Sequence, residues 1–232
     1  LNRNEVNQRQ TAPVALRREA FTLIEVLVVI TLIGVLTALL WPALARARDK
    51  ARAMRCVHHL RHLALATRMY ADDHDDRLPR SSHSAFAYGQ APWGRALAGY
   101  LGQPGAGWTN LFAGVYRCPL KTGTGNWSYG LNVYFELTPA DDDYEGSPST
   151  WPRFGAVPVP SATVLFAEVP GSADHVMAHF WTAPADATDV AHRRHHERAH
   201  YVFVDGHIEL LRLADTYAPA QNRDRWNPSR AQ

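Results

Sequence analysis

The sequence is poor in sulfur, with two cysteines and three methionines among 232 residues. Two cysteines cannot build a disulfide-stapled scaffold or a four-cysteine zinc site. An excess of either charge is also missing: 24 basic side chains face 22 acidic ones, so whole-chain charge gives no reason to expect a nucleic-acid partner. A glycine-rich phosphate loop, a paired-cysteine metal motif and a Ser/His/Asp nucleophile arrangement are all lacking. No internal repeat is evident. Apolar residues, by contrast, make up 46% of the chain and aromatics 10%, which excludes wholesale disorder. The length suits one ordinary domain with an appendage, and the apolar residues are spread unevenly along it.

Residues 1–20 are polar, with Arg3, Arg9, Arg17 and Arg18 against Glu5 and Glu19. Phe21 to Leu44 then carries a single charge, Glu25. About 20 apolar residues at roughly 1.5 Å each match the hydrocarbon thickness of a bilayer. The stretch shows no polar stripe, so it reads as a membrane-inserting helix rather than a soluble core helix. Glu25 is costly there, on the order of 2–4 kcal/mol in lipid, and needs either the interface or a positive partner. A cut just before Phe21 would expose such a partner, the free α-amino group of a neighbouring subunit. From Leu44 onward, Ala47, Ala51, Met54, Leu60, Leu63, Thr67 and Tyr70 recur at spacings of three and four, with Arg and His between them. Neither Gly nor Pro intervenes between Ala43 and Asp76, which predicts one continuous helix of about 50 residues, some 75 Å long. Its basic face reads as solvated charge, not as a nucleic-acid interface.

The run Ala20-Phe21-Thr22-Leu23-Ile24-Glu25, continued by Val26 to Ile30 and preceded by a basic leader, resembles the class III signal of type IV pilins and type II secretion pseudopilins. The resemblance implies a leader of residues 1–20 removed by a prepilin peptidase between Ala20 and Phe21, N-methylation of Phe21, and pairing of Glu25 with a neighbour's N-terminus during assembly. Ala20 stands where the family usually has Gly. Pro42 falls where many pilins have a helix-kinking proline. The segment from Arg55 and Cys56 to Met69-Tyr70-Ala71-Asp72-Asp73 is similar to the helix of a large bacterial pilin-like subgroup. So are Tyr116-Arg117-Cys118-Pro119 and Ser128 to Asn132. His195 followed after nine residues by Asp205-Gly206 matches that subgroup's H-X9-DG element. The implied protein is a structural subunit of a type II secretion pseudopilus or a type IV pilus, not an enzyme, and it needs no cofactor. Implied partners are the prepilin peptidase, other pilin or pseudopilin subunits, an inner-membrane assembly platform and the lipid bilayer. The leader would be cytoplasmic and the body extracytoplasmic, finally in a periplasmic or cell-surface filament. Charge alone argues the other way, since five basic residues from Arg46 to Arg55 outnumber the leader's four. A secretory signal cut at Ala43-Leu44-Ala45 or Ala45-Arg46-Ala47 is the rival reading.

From residue 77 to 232 turn formers multiply and apolar runs shorten. Val115–Arg117, Tyr129–Glu136, Thr163–Glu168, Tyr201–Val204 and His207–Leu211 read as strands. Asp205-Gly206 between the last two is the hairpin signal for a type I′ turn with positive φ at both residues. The expected class is therefore α+β: a long N-terminal helix over residues 21–76, half membrane and half amphipathic, packed on a small antiparallel sheet. Asp141–Thr150 reads as an exposed loop, with calcium at Asp141–Asp143 a lesser alternative. Twelve histidines invite a metal hypothesis. A metal-dependent enzyme using His195, His200, Asp205 and His207, within the cluster from His192 to His207, is the alternative from another class. The plainer reading makes them polar loop residues, with His195 fixing its loop near the hairpin. Cys56 and Cys118 are either two buried thiols or a bridge permitted outside the cytoplasm, worth on the order of 4 kcal/mol for a loop of about 60 residues.

Overall fold

A computed structural model describes residues 22–122, 124–138 and 150–232. The chain divides into two compact units, Leu1–Ala47 and Arg48–Gln232. Helix α1, Leu23–Asp73, contributes residues to both. In the first unit every described residue is exposed, including Leu23, Ile24, Leu27, Ile30, Leu39 and Trp41. Pro42 lies inside α1, where it has no N–H to give the carbonyl of Ala38. The proposed leader, the cleavage pair Ala20 and Phe21, and Asp141–Asp143 lie outside the described residues.

The second unit is built on the rest of α1. Cys56, Leu60, Leu63, Thr67 and Ala71 are buried, with Ala64 and Ala66 beside them. Their three- and four-residue spacing puts them on one helical face. The stripe starts later than the periodicity suggests: Ala47, Ala51 and Met54 are exposed, because the core of this unit first meets the helix at Cys56. α1 ends at Asp73 rather than Asp76. Asp75 and Asp76 take positive φ values of 56° and 62°, and the Asp76 N–H bonds back to the Ala71 carbonyl at 2.9 Å, which caps the last turn. Short helices α2 (Trp93–Ala96) and α3 (Trp108–Ala113) follow. Val115–Arg117 is turn and irregular chain, not a strand.

Five strands make the main sheet: β1 (Tyr129–Asn132), β2 (Val164–Glu168), β3 (His175–Val176), β4 (Ala199–Phe203) and β5 (Ile208–Leu211). Their order is β3-β1-β2-β4-β5. Three pairings are antiparallel, but β1 and β3 are parallel, with Leu131 opposite His175. The sheet is thus mixed where an antiparallel one was expected. Chain direction explains the difference: β2 ends at Glu168, opposite Tyr129 at the start of β1. The chain then crosses that end and can only return in the direction of β1. β1 is also shorter than predicted, because Asn132 turns the chain into a 3-10 turn, Val133–Phe135, by accepting the Tyr134 N–H. The Asn132 side-chain amide donates to the carbonyls of Val164 (2.9 Å) and Trp226 (2.8 Å), so a buried polar group is satisfied on both sides.

β4 and β5 form the predicted hairpin, though its turn differs from the predicted type. Gly206 has φ 91° and donates to the Phe203 carbonyl at 2.8 Å, whereas Asp205 is not among the positive-φ residues. The connection is the longer kind that ends in a left-handed glycine, not type I′. Helix α4 (Leu213–Thr216) and the small pair β6 (Tyr217–Ala218) and β7 (Arg223–Asp224) complete the unit. Trp93, Trp226, Tyr116, Tyr129, Tyr201, Phe135, Phe166 and Phe203 fill its core. Two buried acids clamp the segment from Ser81 to Ser84. Glu136 accepts from the Ser81 N–H at 2.8 Å and the Ser84 hydroxyl at 2.6 Å, and Asp174 accepts from the Ser82 N–H at 3.0 Å.

Leu63 and Leu65 sit two positions apart on opposite faces, fully buried and 56% exposed respectively. Leu63→Ala should cost about 2–5 kcal/mol through lost burial and a residual cavity, whereas Leu65→Ala should stay within about 0.5 kcal/mol. Denaturant titration of the two full-length variants in detergent, monitored by tryptophan fluorescence, measures both.

Candidate functional site

Two places in the chain concentrate chemistry, one in each unit. The first is the start of α1. Thr22 and Glu25 bond reciprocally: the Thr22 N–H and hydroxyl both donate to Glu25 Oε2 at 2.8 Å, and the Glu25 N–H donates to the Thr22 hydroxyl at 3.3 Å. This is a capping box, in which two otherwise unpaired amides are satisfied. The T-x-x-E spacing was present in the sequence, but a local helix-capping role for Glu25 escaped notice beside its apolar setting. Glu25 remains exposed, and one of its oxygens carries no bond within the box. The carboxylate can therefore cap its own helix while facing outward.

The second place is the interior of the second unit. Glu168, the last residue of β2, has no exposed surface. Its Oε1 accepts from His195 Nε2 at 2.9 Å, and its Oε2 from the His200 N–H at 2.9 Å. The Arg194 guanidinium lies 3.6 Å from Oε1 and is itself held by the Ser128 carbonyl at 3.0 Å. Burial opposes ionisation of Glu168, but hydrogen bonds from His195 and His200 and the charge of Arg194 outweigh it and bring its pKa down to about 2. The loop that delivers these groups is anchored on β2, since the Ala191 N–H donates to the Glu168 carbonyl at 2.7 Å. It turns through His196 and Glu197, both at positive φ (54° and 60°). Beside Glu168, Cys56 of α1 and Cys118 form a disulfide with Cα atoms 5.1 Å apart.

The histidines singled out in the sequence fall into separate groups. His195 and His200 stack edge to face, 4.3 Å between centroids, next to Glu168. His207 is half-buried just after the hairpin turn, its Nδ1 2.6 Å from Asp205 and its Nε2 3.2 Å from Glu209. Its two nitrogens point to different carboxylates, so His195, His200, Asp205 and His207 do not form one ligand set. The H-X9-DG element is likewise divided. Its histidine bonds to β2 rather than to the hairpin, and its Asp-Gly shapes the turn. Glu168 and Arg194 were missed in the sequence. The signal for Glu168 was an acid closing Val164-Leu165-Phe166-Ala167, a strand that is buried at every position.

A 51-residue helix whose first half is an apolar, membrane-length segment, followed by a small mixed sheet, makes an α+β architecture consistent with a pilin-like fold. Residues 16–41 match the prokaryotic N-terminal methylation motif, and residues 45–113 match a family described as a protein of unknown function, DUF1559. The two matches support the type IV pilin-like and pseudopilin family for this chain. No curated protein matches it, and neither does any solved structure.

Glu168 sets a pH dependence. Its pKa is depressed from 4.5 to about 2, so its ionised form contributes stability above pH 4.5, and that contribution is lost as pH falls through 2. The contribution is on the order of 3 kcal/mol. Melting curves of the wild type and Glu168→Gln should therefore differ most near neutral pH, with the wild type more stable. The gap should close as pH falls from about 4.5 to about 2.

Proposed function

We propose that the chain is a structural subunit of a pilin-like filament, of the type II secretion pseudopilus or type IV pilus class. In this reading it is made as a prepilin, cut between Ala20 and Phe21 by a prepilin peptidase, methylated at Phe21 and inserted in the inner membrane with its body outside the cytoplasm. Copies then associate through the first half of α1 on the assembly platform. The observation that carries the reading is the apolar surface of that half-helix, where Leu23 to Leu44 have no covering among the described residues. Burying a Leu, Ile or Val side chain is worth about 1.5–3 kcal/mol, so such a surface requires lipid or neighbouring helices around it. Glu25 fits as the assembly contact because one oxygen serves the helix cap and the other is free to meet a neighbour's amine.

A catalytic reading draws no support from the histidines. His195 and His200 are buried around Glu168, and Asp205 and His207 pair with each other on the hairpin. Hydrogen bonds hold His195 on Glu168 and His207 on Asp205 as structural groups.

The capping box provides a sharp test of Glu25. Glu25→Gln keeps an N3 acceptor for the Thr22 amide but removes the charge, whereas Glu25→Ala removes both. Both variants should insert in the membrane, and neither should yield filaments when the secretion or pilus machinery is expressed. Normal filaments from Glu25→Gln would leave only the capping role. Mass spectrometry of the mature chain should find a methylated Phe21 at its N-terminus, while a start at Arg46 or Arg48 would overturn the filament proposal in favour of secretion.

A further inference from the structure

The disulfide closes on more than α1. One donor atom each from Cys56, Cys118, Glu168 and His195 lies within 4.8 Å of the other three, and all four residues are buried. Tetrahedral zinc, with bonds of about 2.0–2.3 Å to nitrogen, oxygen and sulfur, sets its ligands roughly 3.3–3.8 Å apart. Once the disulfide is reduced the two sulfurs must separate to roughly 3.8 Å, and His195 Nε2 and Glu168 Oε1, now 2.9 Å apart, must open slightly. The longer separations, at most 4.8 Å, close by about 1–1.5 Å. We propose that the reduced chain holds a zinc-class divalent ion on Cys56, Cys118, Glu168 and His195, so that disulfide and metal are alternative staples for one position in the fold.

The chemistry balances. A dithiol reductant gives two electrons and two protons to the Cys56–Cys118 bond and closes its own disulfide, leaving two cysteine thiols. Binding of the divalent cation then releases both thiol protons to solvent and forms two metal–sulfur bonds. The hydrogen bond between His195 Nε2 and Glu168 Oε1 is given up, and the neutral imidazole carries its proton on Nδ1 so that Nε2 can bind the ion. Two thiolates and one carboxylate around a dication leave a single negative charge. The Arg194 guanidinium, 3.6 Å from Glu168, stands where that charge is neutralised. Thiolate, imidazole and carboxylate together suit a borderline ion of the zinc type and disfavour calcium or magnesium.

His200 is the second observation. Its Nδ1 is buried without a hydrogen-bond partner, although it lies 3.4 Å from Glu168 Oε2. When Oε1 binds an ion, the other carboxylate oxygen keeps its hydrogen bond from the His200 amide, as metal-bound carboxylates generally keep an outer partner. His200 Nδ1 is placed to add a second. In either redox state α1 stays tied to the segment before β1, and in the metal-bound state also to the end of β2. The site lies wholly within the second unit and is independent of the filament proposal.

The test uses the full, untagged chain in detergent, reduced with dithiothreitol and freed of reductant and metal under anaerobic conditions. Titration with Co²⁺ should give one equivalent bound, with a thiolate-to-cobalt charge-transfer band and the strong visible bands of tetrahedral cobalt, displaced by Zn²⁺. Zn²⁺ should raise the melting temperature of the reduced chain, and the oxidised chain should take up no ion with these signatures. His195→Gln should weaken Co²⁺ binding at least tenfold and alter the visible bands. A reduced chain without the charge-transfer band overturns the proposal, as does an unchanged melting temperature with Zn²⁺. The same uptake by the Cys56→Ser/Cys118→Ser double variant, which keeps both side chains near their native size, also overturns it.

Discussion

A carboxylate with no exposed surface holds the body of this protein in register. An isolated buried charge is strongly destabilising, and a buried ion pair is tolerated only when its remaining lone pairs are hydrogen-bonded. Glu168 meets that demand from three directions: the His195 ring, the His200 amide and the Arg194 guanidinium. Arg194 and His195 come from the stretch that leads into β4 and His200 from β4 itself, so folding of that loop and pairing of β2 with β4 are one event. Were any of the three misplaced, the charge would be left unpaired at the centre of the sheet. The disulfide lies against the same group and ties α1 to the segment before β1. Helix, sheet and loop are thereby fixed at a single point.

α1 meets two solvents along its length. From Cys56 to Ala71 its buried stripe belongs to the core of the second unit. From Leu23 to Leu44 it is apolar all round and wholly exposed. A helix that is hydrophobic on every face is at rest only in lipid or among other helices. In the filament proposal the body contributes stability and the N-terminal segment contributes association. The Thr22–Glu25 box then has a double role, since the cap holds the carboxylate at the first turn in a fixed orientation, which favours an intermolecular contact by lowering the entropy lost on forming it.

Much of the helix and the hairpin was legible because both rest on local rules. Phe21 to Leu44 announces itself by length and composition, Leu60, Leu63 and Thr67 by spacing, and the β4–β5 hairpin by Asp205-Gly206 between two apolar runs. The misreadings are local as well. Val115–Arg117 has the composition of a strand, but the half-buried Val115 and the buried Tyr116 are used as core side chains on irregular chain. Ala47, Ala51 and Met54 keep the helical period without a surface to meet. The turn at Asp205 differs from type I′ because the loop gains a residue and only Gly206 has to adopt a left-handed backbone.

The amino-acid sequence by itself determined the long helix, its membrane-length apolar segment, the lone acid within it and the α+β class, since periodicity and hydrophobicity act between near neighbours. Tertiary structure alone decided that His195 belongs to Glu168, 27 residues away, that β3 runs parallel to β1, and that Cys56 reaches Cys118 across 62 residues. The physical reason is that hydrogen-bond and sulfur contacts extend only a few ångströms. Which distant side chains come that close depends on how the strands cross, and the pattern along any one strand does not encode it.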